Sequence, residues 1–69
     1  MKFEDFPETD TLYITLRDEP GADAREVAPD TVLDVNRLGE VVGIEIEHAS
    51  ERTDLTTLHI MALPVKEVA

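Results

Sequence analysis

Apolar and polar residues alternate most cleanly in two stretches of this chain, residues 11–17 and 41–48. In "TLYITLR", Leu12, Ile14 and Leu16 point one way, and Thr11, Tyr13, Thr15 and Arg17 point the other. A period of two carried by β-branched and aromatic residues predicts a strand. "KFEDF" predicts a first strand, stopped by Pro7, which lacks a backbone donor. "AREVA" predicts a weaker strand ended by Pro29, and "TVLDV" and "VVGIEIEH" predict two more, separated by "NRLGE". Proline and glycine punctuate the chain at short intervals, which favours short strands over long helices.

The pattern changes after Glu47. Ala49 to Leu58 predicts a helix of about two turns, with Ser50 as N-cap, Glu51 in the first turn, and Leu55 and Leu58 spaced i, i+3. "LHIMALPV" reads as helix continuation or as a last strand, and Ile60, Ala62 and Pro64 favour a short edge strand. The expected fold is therefore α+β: an antiparallel β-meander of about five short strands, one short C-terminal helix packed on its apolar face, and a final edge strand from the tail. Residues 1–69 form one domain.

The hairpin around Gly39 carries the argument about faces. An even-length loop puts Leu33 and Val35 on the same face as Val42, Ile44 and Ile46. The other face then carries Val32, Asp34, Val41, Gly43, Glu45 and Glu47. An odd loop would mix Asp34 with Val42 and Ile44, and burying an unpaired carboxylate costs several kcal/mol or shifts its pKa. Even parity is preferred, although a three-residue loop with a left-handed glycine is also a common hairpin. Asp34 and Glu45 then share one face beside the gap left by Gly43, about 5–8 Å apart as same-face neighbours.

Composition changes the picture in two ways. A chain of 69 residues buries only ~60% of its unfolded surface, so a lone core is marginal without disulfides, a metal or a partner subunit. There is no cysteine, which excludes disulfides and Cys-type zinc sites and leaves a tight small core or oligomerisation, with a homodimer preferred. The apolar tail residues Ile60, Met61, Leu63 and Val65 are candidates for that interface. Sixteen acidic against six basic residues leave a net charge of −10. Such a field argues against direct nucleic-acid or anionic-membrane binding and favours a basic protein partner, a cation or simple solubility. "MKFEDFPETD" has no apolar core of signal-peptide length, and no run approaches a membrane span, so a cytoplasmic location is expected.

Candidate chemistry is sparse. Two carboxylates beside a gap, Asp34 and Glu45, could hold a divalent ion or do acid–base work. They could equally face water or pair with Arg17 or Arg25. His48 and His59 match no zinc-ligand spacing and read as helix-terminus or surface residues. Tyr13 reads as packing or an interface anchor. No nucleophile–base pair or phosphate loop is present, so neither an enzyme nor a cofactor is expected. The candidate ligand or partner face comprises Asp34, Glu45, Tyr13 and Asp10.

"PETDTLYITL" followed by "REVAPDTVLDVNRLGEVVGIEIEHASER" resembles the small bacterial and archaeal family catalogued as domain of unknown function 2283. The resemblance runs from about residue 7 to 52 and rests on the ordered series Asp10, Leu12, Tyr13, Asp34, Gly39, Gly43, Glu45, Ala49 and Ser50. The chain departs at Asp5 and Phe6, where the family tends to have tyrosine and aspartate, so no role of those two positions carries over. The resemblance implies a compact β-rich domain with no assigned activity. Members are often encoded beside small basic toxin-like proteins, which implies an antitoxin-like role and agrees with the charge.

Overall fold

The computed structural model describes residues 1–61. Five strands form one antiparallel sheet: β1 (Lys2–Phe6), β2 (Thr11–Thr15), β3 (Asp23–Ala28), β4 (Thr31–Val35) and β5 (Val41–Glu47). One helical turn, α1 (Ala49–Arg52), follows. The α+β class and the meandering antiparallel strands match the alternation in the sequence. The spatial order is β1-β2-β5-β4-β3. β1–β2 and β3–β4–β5 are successive hairpins, and the second unit docks on the first through β5 and β2. Residues 16–22 make the step across the sheet. Leu16 and Arg17 donate backbone N–H groups to the Val42 carbonyl, and Ala22 donates to that of Val35.

The registers decide the faces. Ile14 pairs with Ile44, and Ile44 with Leu33, so three central strands place apolar side chains side by side. Leu12 and Ile46 pair on the same face. Tyr13 pairs with Glu45, Asp34 with Gly43, and Val32 with Glu45 on the opposite face. The even parity expected for the β4–β5 ladder is thus present. The turn itself is odd: Asn36 donates to the Glu40 carbonyl across three residues, and Gly39 has φ +80°. A bulge reconciles the two, because Val35 pairs with Val41 while Asp34 pairs with Gly43, leaving Val42 as the extra residue.

The core is thin. Leu12, Val35, Val42 and Ala49 are the buried apolar residues among those described. Ile14, Leu33, Ile44 and Ile46 stay half-buried although they sit on the three central strands. Edge strand β3 is exposed along its whole length, and its charged residues Asp23, Arg25 and Glu26 discourage further strand pairing.

The C-terminal region differs from the expected helix. α1 ends at Arg52 rather than Leu58, and Ser50 is not its N-cap. The cap is His48, at φ 52°, with no side-chain capping bond of its own. Thr53 is already extended, in keeping with the helix-weakening β-branched threonines that follow at 56 and 57. A single turn is too short to cover the apolar face. Residues 53–58 instead share a shallow groove with Phe3, Asp5 and Leu12 on the β1–β2 side of that face. Of the edge strand expected at 58–65, residues 58–61 are irregular, and the remainder lies outside the described residues. Ile60 and Met61 are exposed. Leu63 and Val65 also lie outside the described residues. Among the described residues no helix is long and apolar enough to cross a membrane.

Candidate functional site

Tyr13 lies on β2, and its side chain projects from the face opposite Ile14. Its hydroxyl donates a 2.5 Å hydrogen bond to Oδ2 of Asp34, two strands away on β4. The strand between them is β5, and the residue beneath the ring is Gly43. A methyl group built on Gly43 would lie 2.7 Å from Cζ of Tyr13 and closer still to Oη, well inside van der Waals contact. Gly43 has no special dihedral requirement; it is needed because the ring occupies the space a side chain would fill. An aromatic ring laid over a cross-strand glycine covers backbone that the glycine would otherwise expose. The gap expected beside Asp34 and Glu45 is therefore filled by Tyr13.

This contact gathers three of the four predicted site residues. Tyr13, Asp34 and Glu45 share one face in adjacent register positions, and all are partly buried. The Tyr13 hydroxyl is pushed up to about 12, first by its hydrogen bond to Asp34, then by burial, and then by the negative charges of Asp34, Glu45 and Glu4. A phenolate there would lose its bond to Asp34 and meet three carboxylates, so the neutral donor is strongly preferred. Arg17 and Arg25, the alternative partners to water for these acids, are engaged elsewhere. Arg25 pairs with Asp23 at 3.7 Å. Arg17 pairs with Glu19 at 3.0 Å and Glu40 at 2.8 Å. Arg17 belongs to the far end of the sheet, where Asn36 donates to both Glu19 and Glu40 and accepts from the backbone of Leu38 and Glu40.

The face around this trio is acidic. By register, β1 adds Glu4, β3 adds Glu26 and β5 adds Glu47 to Asp34 and Glu45. Lys2 is the cation that the described strands place there, and it is engaged with Glu4 at 3.3 Å. Among the described residues no three His, Asp or Glu side chains converge as a metal-ligand set.

Asp10, the fourth predicted site residue, is elsewhere and does structural work. It follows the β1–β2 turn at φ 52°. Its carbonyl accepts from the Ala49 N–H at 2.9 Å, and its carboxylate accepts from the Ser50 N–H at 3.0 Å and the Ser50 hydroxyl at 2.7 Å. A carboxylate 40 residues away in sequence thus satisfies the free donors of α1. Ala49, between these bonds, is fully buried.

Asp30 is a partner to Asp10 that sequence reasoning missed. It follows Pro29 in the β3–β4 turn at φ 60°, as a turn with proline first and a left-handed second residue allows. Its carbonyl accepts from the Glu47 N–H at 2.8 Å. Its carboxylate takes Nε of Arg52 at 2.9 Å and faces Nδ1 of His48 at 3.1 Å. Arg52, then His48, hold the Asp30 carboxyl below its ordinary range. Two turn aspartates therefore grip the end of β5 and α1 from both sides. The "PD" turn was the available signal, but its partners are set by the strand order.

The chain belongs to the family described as Protein of unknown function (DUF2283), which matches residues 2–50. That span contains all five strands, the Tyr13–Gly43–Asp34 contact and both turn aspartates. No curated protein and no solved structure matches the chain.

Proposed function

We propose that the chain, as a member of that family, is a small acidic interaction module without enzymatic activity that binds a basic protein in the cytoplasm, in the manner of an antitoxin neutralising its partner. The observation that supports this most is the separation of the two sheet faces. Among the described residues, Asp34, Glu45, Glu47, Glu4 and Glu26 share one face on which the strands place one lysine, Lys2, paired with Glu4. A surface of one sign steers an oppositely charged partner and rejects phosphate-rich ones. Tyr13, braced by Asp34, supplies a rigid aromatic ring at the centre of that surface, the kind of side chain that anchors protein interfaces.

The test is calorimetric titration with small basic proteins, beginning with any encoded beside the chain's own gene. Association should weaken steeply between low salt and physiological ionic strength, where the screening length falls to about 8 Å. Glu45→Lys should weaken it more than Glu51→Lys, since Glu51 lies on α1, outside the strands. Absence of association at low ionic strength, or equal effects of the two substitutions, would refute the reading.

A further inference from the structure

The opposite face carries a second inference, independent of the basic partner. Ile14, Ile44 and Leu33 lie in direct register across β2, β5 and β4, with Leu12 and Ile46 beside them. In a closed domain, side chains at the centre of the central strands are the most buried. Here Ile14, Leu33, Ile44 and Ile46 are half-buried, and Phe3 on the flanking strand is 44% exposed. Among the described residues, the cover consists of one helical turn at the sheet's end and the 53–58 segment along Phe3 and Leu12. The central side chains of the face, among the described residues, keep part of their surface exposed.

We propose that a second copy of this chain covers this face, in a two-fold, face-to-face pair of sheets. Three observations select a second copy. The first is area. Five strands about 4.8 Å apart and about 17 Å long present about 400 Å² per copy in projection, or about 800 Å² for two. Leu55 and Leu58, which lie outside the strands and are exposed, extend this toward about 1,000 Å², the size at which a specific interface begins. The second is charge. Two molecules of net charge −10 should repel, yet the carboxylates of the strands lie mostly on the other face. Apposing the apolar faces turns both acidic surfaces outward and keeps them a full double layer apart. A basic partner would offer its charge to a surface that has little to answer it. The third is shape. The face is a regular twisted sheet, and two such sheets pack with strands within about 30° of each other at about 10 Å separation.

Sedimentation equilibrium on the full chain tests the association, and site-directed crosslinking tests the face. The expected mass is about twice 7.7 kDa at micromolar concentration, unchanged by high salt. Loss of the basic-partner reading would leave this result untouched, because that association is the salt-sensitive one. The chain has no cysteine, so Ile44→Cys and Glu45→Cys place single thiols on opposite faces of the same strand. Under mild oxidation Ile44→Cys should form a disulfide-linked dimer at least tenfold faster than Glu45→Cys. Ile44→Asp should shift the mass to that of the monomer, with circular dichroism reporting whether the strands persist. A wild-type mass of 7.7 kDa throughout the concentration range would overturn the proposal. So would a dimer that crosslinks through Glu45→Cys as readily as through Ile44→Cys.

Discussion

On one face of the sheet a single ring, Tyr13, spans a glycine to reach a carboxylate; on the other, Ile14, Ile44 and Leu33 stand side by side across three strands. The first arrangement is directional. It needs a donor, an acceptor and an empty place between them, and it tolerates little change in any of the three. The second is non-directional and depends on the area removed from water. It accepts another apolar residue of similar volume and rejects a charge. The carboxylate face thus fixes the sheet's alignment, while the apolar face supplies the surface to be buried.

The comparison breaks most sharply at Gly43. Gly43→Ala sets a methyl group against the Tyr13 ring, and overpacking of this kind costs about 1–3 kcal/mol by chemical denaturation. Combined with Tyr13→Ala, the same change should cost clearly less than the sum of the single effects, since the clash disappears with the ring. Additive effects would show that Gly43 matters for a reason other than the ring. Next in size is Tyr13→Phe, which leaves the Asp34 carboxylate without its donor. It should cost about 1–2 kcal/mol, with the strands unchanged by circular dichroism.

Titration sharpens the same contact without removing an atom. Tyr13 is the only tyrosine, so its ionisation is read directly from ultraviolet absorbance. Its midpoint in the folded protein should lie near 12, and Asp34→Asn should move it down toward the ordinary value of 10. The folded value is above the unfolded one. The stabilisation linked to it is therefore fully present below pH 10 and is lost as pH rises through about 12. A wild-type midpoint at 10 would mean that the hydroxyl does not donate to Asp34 in solution.

Smaller effects lie at the sheet's end. Asp10→Ala removes the carboxylate that caps α1 and should cost about 1 kcal/mol, with Asp10→Asn closer to wild type. Arg52→Ala should have the smallest effect, because its guanidinium end of the pair with Asp30 is about half exposed to solvent. The Asp30 carboxyl is held down in the folded chain. Its linked contribution is present above the unfolded value of 3.8 and fades as pH falls through the lower folded value. Arg52→Ala should therefore leave the alkaline limb of the stability profile unchanged and alter only the acid limb.

All five strands were legible in the chain. β2 and β5 are period-two runs, the others are short runs rich in β-branched or aromatic residues or bounded by proline, and signals of that kind are local. The shared face of Asp34 and Glu45 was legible too, because burying Asp34 beside Ile44 would be expensive. The helix was misplaced for the converse reason. Ser50 has the chemistry of an N-cap, but the carboxylate of Asp10 and a left-handed His48 take over the cap from outside the helix. Of the two alternatives for Asp34 and Glu45, pairing with Arg17 or Arg25 is not what forms: Arg25 stands opposite Leu33 on the other face, and Arg17 lies beyond the end of β2 beside Glu19 and Glu40.

Alternation alone determined the strands, their two faces and the separation of acidic from apolar surface, because the side chain's direction reverses at every residue of an extended backbone. Strand order is a different kind of fact. Only the folded sheet inserted β5 between β2 and β4, and that insertion put Gly43 under Tyr13 and Asp34 within its reach. The same insertion brought two turn aspartates to either side of one strand end. These contacts join residues 17 to 40 positions apart, and no local preference encodes a distance that exists only after the chain has crossed its own sheet.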